Sequence, residues 1–542
     1  MPKRSRPQGA PDSALVALAV ARAYEKKGQL EQARHQYQLA ASEADTSQQY
    51  TKEVPLGDEP PRALVASVSL TRLARLTTDI DAADLGTAAN AARELFERAL
   101  RLWPNNAQAL CDLADLEHRL GRISSALPHY YACAALEGPL TLSPTAVANN
   151  THLWYTELLI EPRLEAVSVA SYMAALLLHQ LERCDQATPL LRRLGVCHRL
   201  SRSLWSAIAT PPPAEQQQHS DNMVTHPVAR YSDVVPAPLL ARLSRAFSAS
   251  SPFWAETDYA SRGYYSFWYD ALQPPSHAVE ELARLILPLT GCVDKVVGCE
   301  WWAHSKAARR GIGGHQLHFD TEEVTLARGE MVHPAVSTVI YLTGDVDDDA
   351  DPTVIFDQVW GEGPAPHAYV SHPVKGDVLL FFGDRLHCVA PRAAPAMSPS
   401  ADRVTLMIGF WTIDVASAAP RKPLSACGPM PAASTSCAWP TWLARAEGNG
   451  CSQLKAKKKK AVPTQPRRQG VPRISPAWEE VTQPVQSKKK SKRREADLGV
   501  KSDIWCGLVD IPASRNSLFF LHDMRELLFL EEDSGNESES GG

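Results

Sequence analysis

Apolar residues recur every three to four positions through roughly the first 200 residues, with short punctuation between the periodic stretches. Positions i, i+3, i+4 and i+7 share one face of a helix, so this region predicts a series of amphipathic helices. From about Val224 the pattern changes. Helices are predicted around Pro238–Phe247 and from His277 to Leu289. Before the second lies an aromatic cluster, Phe253-Trp254 through Tyr264-Tyr265-Ser266-Phe267-Trp268-Tyr269, which reads as core packing or as a substrate-facing wall. Short apolar runs then follow closely, at about Val296–His304, Gln316–Val324, Val336–Leu342, Thr353–Asp357, Ala368–His372, Asp377–Phe382 and Arg403–Thr412. Such strands with turn residues between them predict a small barrel or jelly roll.

The chain therefore reads as α+β and multidomain. Residues 13–200 form an all-α unit, 201–223 a linker, and 224–415 a β-rich domain. The linker rests on Thr210-Pro211-Pro212-Pro213 and Gln216-Gln217-Gln218, because triple proline resists helix. Residues 416–500 turn to Ala, Pro, Ser and Lys and are expected to be disordered. Ser517-Leu518-Phe519-Phe520-Leu521 is too apolar for a free tail, so 501–533 is expected to return as a strand and helix onto the β-rich domain. Residues 534–542 are an acidic end.

Within the helical region, Ala21-x-x-Tyr24-x-x-x-Gly28-x-x-x-x-Ala33-x-x-x-Tyr37-x-x-Ala40 places small residues where two helices approach and a glycine where the chain turns. Ala92-x-x-x-Phe96-x-x-Ala99, ending at Pro104, reads as the second helix of another unit. Leu113-Ala114 through Gly121, Ala126 and Tyr130 gives a third, and a weaker pair runs from about Val167 to Leu194 with Cys184-Asp185 at the turn. The spacing resembles the tetratricopeptide repeat. That resemblance implies a stack of about three to five hairpins sharing an extended core, with a groove for a protein or peptide partner. A helical extension that props up the next domain, or dimerises, is the competing reading.

The candidate chemistry lies in the β-rich part. His318-Phe319-Asp320 sits on a predicted strand, where residues i and i+2 share a face. His387 follows about seventy residues later, after the buried run Val378-Leu379-Leu380-Phe381-Phe382 and the turn Gly383-Asp384-Arg385-Leu386. Two imidazoles and one carboxylate on one side of a metal leave the other side open, as non-haem iron(II) requires. Arg403 and Thr405 then share one face of an apolar strand, and a guanidinium fork grips a carboxylate through paired hydrogen bonds. The set resembles the 2-oxoglutarate- and iron(II)-dependent oxygenases, which carry His-x-Asp…His and a late basic residue on a double-stranded β-helix. The resemblance implies that His318, Asp320 and His387 bind Fe(2+), and that Arg403 with Thr405 binds the distal carboxylate of 2-oxoglutarate. It also implies dioxygen as co-substrate, succinate as product, and hydroxylation of a C–H bond. Prolyl hydroxylases with helical arms supply an analogy for a protein side chain as substrate.

Alternatives stay open at several positions. His315 lies three residues before His318 and competes with it, whereas His367 and His372 compete with His387. Tyr341 is a candidate donor to the co-substrate; His304 and Gln316 are candidate pocket residues, with satisfied core polar groups as the default. A scaffold that has lost turnover and an oxygenase of small molecules are the other two readings of the whole.

Composition narrows the setting. The net charge of −5 gives no global case for nucleic acid or an anionic membrane. The runs Lys455–Lys460 and Lys488–Arg494 are local exceptions, read as nuclear-import signals, phosphate-binding patches or solvated linkers. Eleven cysteines without a Cys-x-x-Cys pair argue against a disulfide framework and for a reducing compartment, cytoplasmic or nuclear. No run approaches the ~20 apolar residues that span a bilayer. Ala14–Ala21 after Lys3, Arg4 and Arg6 superficially resembles a signal peptide, but fits the repeat better. Asp345–Asp351 is an acidic loop that is solvated or holds a cation.

Overall fold

The structure is a computed structural model describing residues 13–43, 62–80, 85–136, 161–194, 198–210, 227–248, 250–257, 266–306, 315–322, 331–344, 350–360, 362–391, 403–413, 427–444 (without 429 and 436) and 466–481. The described residues divide into two compact units, 13–194 and 198–481. Among the described residues no helix is long and apolar enough to cross a membrane.

The first unit is built of helical hairpins. Ser13–Lys26 pairs with Leu30–Glu43, Arg62–Ile80 with Leu85–Leu102, Ala107–Arg119 with Ile123–Ala134, and Glu161–Gln180 with Cys184–Arg193. Gly28 and Gly121 take the left-handed backbone (φ 69° and 73°) that closes the first and third turns. Ala21, Ala33 and Ala40 are buried with Tyr37 in the first hairpin, so small side chains bring these helices close. Ala41, Leu70, Ala74, Ala92, Phe96, Ala109 and Leu113 form one cluster that joins three successive hairpins. The Asn106 side chain accepts from the Ala109 amide (3.0 Å) and donates to Ser67 and Thr71, which caps one helix and ties it to the preceding pair. Cys184 and Asp185 start the last helix; the turn expected at these two residues lies just before them, with Glu182 at φ 58°.

The second unit is built on strands β1 (His198–Leu200), β2 (Val228–Ser232), β3 (Ser266–Asp270), β4 (Gly298–Lys306), β5 (His315–His318), β6 (Val336–Tyr341), β7 (Thr353–Phe356) and β8 (Ala368–Ser371). They continue with β9 (Val378–Phe382), β10 (His387–Val389), β11 (Arg403–Trp411), β12 (Cys427–Gly428), β13 (Arg467–Gln469), β14 (Arg473–Ile474) and β15 (Trp478–Glu480). An eight-stranded sheet runs β12-β3-β4-β11-β6-β9-β2-β13 and a five-stranded sheet runs β14-β8-β7-β10-β5, while β1 pairs with β15. All pairings are antiparallel except β12 with β3.

Alternation sorts the large sheet into two faces. Val404, Leu406, Ile408 and Phe410 of β11 pack with Leu243, Leu282 and Ile286 of the helices Ala237–Ala246 and Ala278–Ile286. The opposite face carries Trp302, Val339, Tyr341, Leu379, Phe381 and Met407, which meet Ile355 and Tyr369 of the small sheet. The interior between the two sheets therefore receives Arg403 and Thr405 from β11.

Several expected boundaries move. The helical unit ends at Leu194, not at residue 200, because β1 belongs to the second unit. The expected linker begins with a folded helix, Arg202–Ala209, capped by the Ser201 hydroxyl on the Leu204 amide (3.0 Å) and burying Leu204, Trp205 and Ile208. Residues 211–226 lie outside the described residues.

The disordered reading of 416–500 fails for 427–444 and 466–481. Trp439 and Leu443 are buried in the helix-side core against Phe253, Phe267 and Trp301, and Trp478 stacks on Phe356 with centroids 5.1 Å apart. A few large apolar residues therefore anchor a stretch whose average composition is that of a linker. Phe253 and Phe267 also identify that part of the aromatic cluster as core packing. The runs Lys455–Lys460 and Lys488–Arg494, the segment 501–533, the tail 534–542 and residues 345–349 of the acidic loop lie outside the described residues.

Replacing Trp439 with Ala is expected to lower the stability of the second unit by about 3–5 kcal/mol, as for other buried tryptophans. Urea unfolding followed by tryptophan fluorescence measures it, and a loss below about 1 kcal/mol would remove 427–444 from the core.

Candidate metal centre

The centre begins with the pairing of β5 and β10. His387 is the first residue of β10 and lies between two strands, opposite His318 on one side and Ile355 on the other. The turn expected at 383–386 lies immediately before the strand. A Cβ at Gly383 would collide with the Pro334 carbonyl oxygen, so only glycine lets the chain pass there. The Arg385 carbonyl oxygen then accepts from His387 Nδ1 at 3.0 Å. That bond fixes the tautomer and leaves the Nε2 lone pair for the interior.

Asp320 lies two residues beyond the end of β5, so the strand expected over 316–324 stops at His318. A hydrogen bond from His333 Nδ1 to the Asp320 carbonyl oxygen (2.7 Å) holds the backbone, and the Ser337 hydroxyl donates to Asp320 Oδ2 (2.6 Å). Ser337 belongs to β6 of the large sheet, so this bond ties the segment that follows β5 to that sheet. Phe319 is buried behind the site against His333 and Trp360.

With Oδ2 engaged, Asp320 Oδ1 faces both imidazoles, 3.8 Å from His318 Nε2 and 3.6 Å from His387 Nε2. One ligand atom from each of the three residues lies within 4.8 Å of the others. Donors bound at about 2.1 Å and at right angles stand roughly 3 Å apart, so Asp320 Oδ1 and each imidazole must close by roughly 0.6–0.8 Å around an ion. The His387 ring also packs on Phe381 of the opposite sheet, with centroids 4.8 Å apart. Two neutral nitrogens and one carboxylate oxygen, each oriented by a second bond or ring contact, fit a divalent transition metal.

Arg403 is buried at the start of β11. Its Nε donates to the Asp351 carbonyl oxygen (3.0 Å) and its Nη2 to the Thr353 hydroxyl (3.2 Å). Burial pushes the guanidinium below its ordinary range, while the nearby Tyr341 and Asp351 pull the other way. Arginine stays charged at neutral pH regardless. Tyr341 is fully buried, and its hydroxyl shares Thr353 Oγ1 (3.0 Å) and Ser371 Oγ (3.1 Å). Arg403, Thr353, Tyr341 and Ser371 thus form one polar network, beside the buried Thr405 opposite Tyr341. Thr353 stands two residues along β7 from Ile355, the partner of His387, a separation of roughly 7 Å.

The other candidates divide. His315 stacks on His318, and His304, opposite Thr405 on β4, meets His315 edge-on. Gln316 lies on β5, but its side chain is outside the described residues. His372 and His367 stay apart from the cluster: His372 Nε2 bonds the Ala207 carbonyl oxygen at 2.9 Å, and His367 lies outside the group of donor atoms. Sequence reasoning missed Ser337, Thr353 and Ser371. The only signal was their place on inward-facing strand positions, which core serines and threonines share.

No family model matches the chain, and no curated protein matches it. Among solved structures it is similar to HygX from Streptomyces hygroscopicus with nickel and 2-oxoglutarate bound, at 14% identity and a TM-score of 0.23, over 35% of this chain and 84% of that one. The apo form of HygX gives 14% identity and a TM-score of 0.20, over 35% and 83%. At these values the likeness assigns no chemistry.

Ser337→Ala frees Asp320 Oδ2 and is expected to weaken manganese(II) or cobalt(II) binding about 10- to 100-fold. Calorimetric titration reads the change; unaltered affinity would mean that the serine does not orient the carboxylate.

Proposed function

We propose that the second unit is an iron(II)- and 2-oxoglutarate-dependent oxygenase that hydroxylates a protein side chain. The observation that carries this reading is the convergence of His318, Asp320 and His387, three donors of the right type with an ordered surround. Iron(II) with 2-oxoglutarate and dioxygen supplies the oxidation: one oxygen atom enters succinate as carbon dioxide leaves, and the other enters a C–H bond as a hydroxyl. The chain's own part is binding and orientation. His318 and His387 offer Nε2, Asp320 offers Oδ1, and Ser337 keeps that carboxylate from turning. Arg403 has donors beyond the two held by Asp351 and Thr353, and a buried guanidinium favours a carboxylate partner. Tyr341 and Thr405 line the same interior and add hydroxyls beside it. Burial strengthens each of these contacts by excluding water.

The helical unit points the proposal toward a protein substrate or partner, since stacked hairpins offer extended faces for peptides. A prolyl side chain is the favoured target by analogy with hydroxylases that carry helical arms. The oxidation chemistry and the identity of the substrate are separable, and the first is tested without the second.

The full-length protein with iron(II) is expected to convert 2-oxoglutarate to succinate slowly without substrate, and His318→Ala is expected to fall to background. Equal background rates in both would favour a non-catalytic scaffold. Arg403→Ala is expected to weaken 2-oxoglutarate binding by about 2–5 kcal/mol while sparing the metal. An unchanged co-substrate affinity in titration would remove Arg403 from that role.

A further inference from the structure

The pairing of β5 with β10 contains an irregularity that bears on the metal centre. His387 faces His318 and Val389 faces His315, so two residues on β10 span three on β5. One extra residue in a strand is a bulge, and bulges re-aim side chains, often beside active sites. Strict alternation would send His315 and His318 to opposite faces. The bulge instead brings them onto one face, because cross-strand partners share a face and His387 and Val389 are two residues apart. The rings accordingly stack, with centroids 4.6 Å apart and planes inclined by 22°. His304 closes the far side of His315 edge-on, with centroids 5.4 Å apart and planes at 85°. His318 in turn lies 4.1 Å from His387, so four imidazoles form a row from β4 to β10.

His318 is the more open of the two histidines of the triad. Its side chain is 25% exposed against 8% for His387, which has both the Arg385 carbonyl and Phe381 to hold it. A ring contact on His318 therefore does for that ligand what Phe381 does for the other. We propose that His315 is a positioning residue, which orients the His318 ring by stacking and thereby raises metal affinity without coordinating. This rests on the metal-binding reading of the triad. The sequence left His315 open as a rival to His318 while favouring His318; the bulge puts both rings on one face, and of the two only His318 belongs to the donor group.

The test uses full-length protein and cobalt(II), with binding followed by the visible absorption of the ion. Wild type is expected to bind and His318→Ala to lose binding; wild-type failure to bind would sink the metal centre itself, a separate result. His315→Ala is expected to bind about three- to tenfold more weakly with a shifted cobalt spectrum, as loss of one ring pair implies. His315→Phe keeps a ring and removes both nitrogens, so it is expected to restore affinity to within about twofold and return the spectrum. Matching thermal unfolding of the metal-free variants separates the effect from general destabilisation. A His315→Ala protein indistinguishable from wild type would overturn the proposal. So would a His315→Phe protein as weak as His315→Ala, which would make a nitrogen of His315 the active group.

Discussion

Everything in the β-rich unit that resembles chemistry depends on one cross-strand register, His387 opposite His318. A slip of one residue would turn His387 out of the interior and bring Cys388, now buried without a polar role, into its place. The register is held from both sides, because β10 also pairs with β7 through His387–Ile355, Cys388–Val354 and Val389–Thr353. An interior strand of three residues has little freedom of its own. Its neighbours fix it, and Gly383 sets the angle at which the chain enters.

The interior between the sheets holds two polar groupings. At one end, His318, Asp320 and His387 gather donors for a metal; at the other, Arg403 supplies charge through a network with Thr353 and Tyr341. Strand β11 makes this division possible. Its odd positions from 403 to 407 face the interior, while Val404, Leu406 and Ile408 build the helix-side core. A single strand thus contributes both to the hydrophobic stability of the unit and to its polar interior. The bond from Tyr341 to Ser371 crosses between the sheets, and that from Ser337 ties the segment after β5 to the large sheet, so the polar groups are satisfied by the same packing that buries them.

Much of this was legible in the sequence, for reasons that differ by element. Strands such as 336–342 and 403–412 are long apolar runs with alternation, and appear within one or two residues of their expected places. His-x-Asp…His identified residues that the fold brings together, because ligand type and order survive in one dimension. What pattern could not supply was irregularity. The bulge in β5 leaves no compositional trace, so the stacking of His315 on His318 was not foreseen. The strands of 466–481 hide in a basic, proline-rich stretch, and their edge pairings with β1, β2 and β8 join the burial of Trp478 in explaining why they are ordered. The helix Arg202–Ala209 was obscured by the triple proline that follows it.

The most direct test of the central claim is a crystal structure of the full-length protein loaded with manganese(II), with the metal located by its anomalous scattering. The account predicts one ion about 2.0–2.3 Å from His318 Nε2, His387 Nε2 and Asp320 Oδ1, with His315 stacked alongside and outside the coordination shell. An ion bound by other residues, or none at a concentration that saturates the protein, would contradict it.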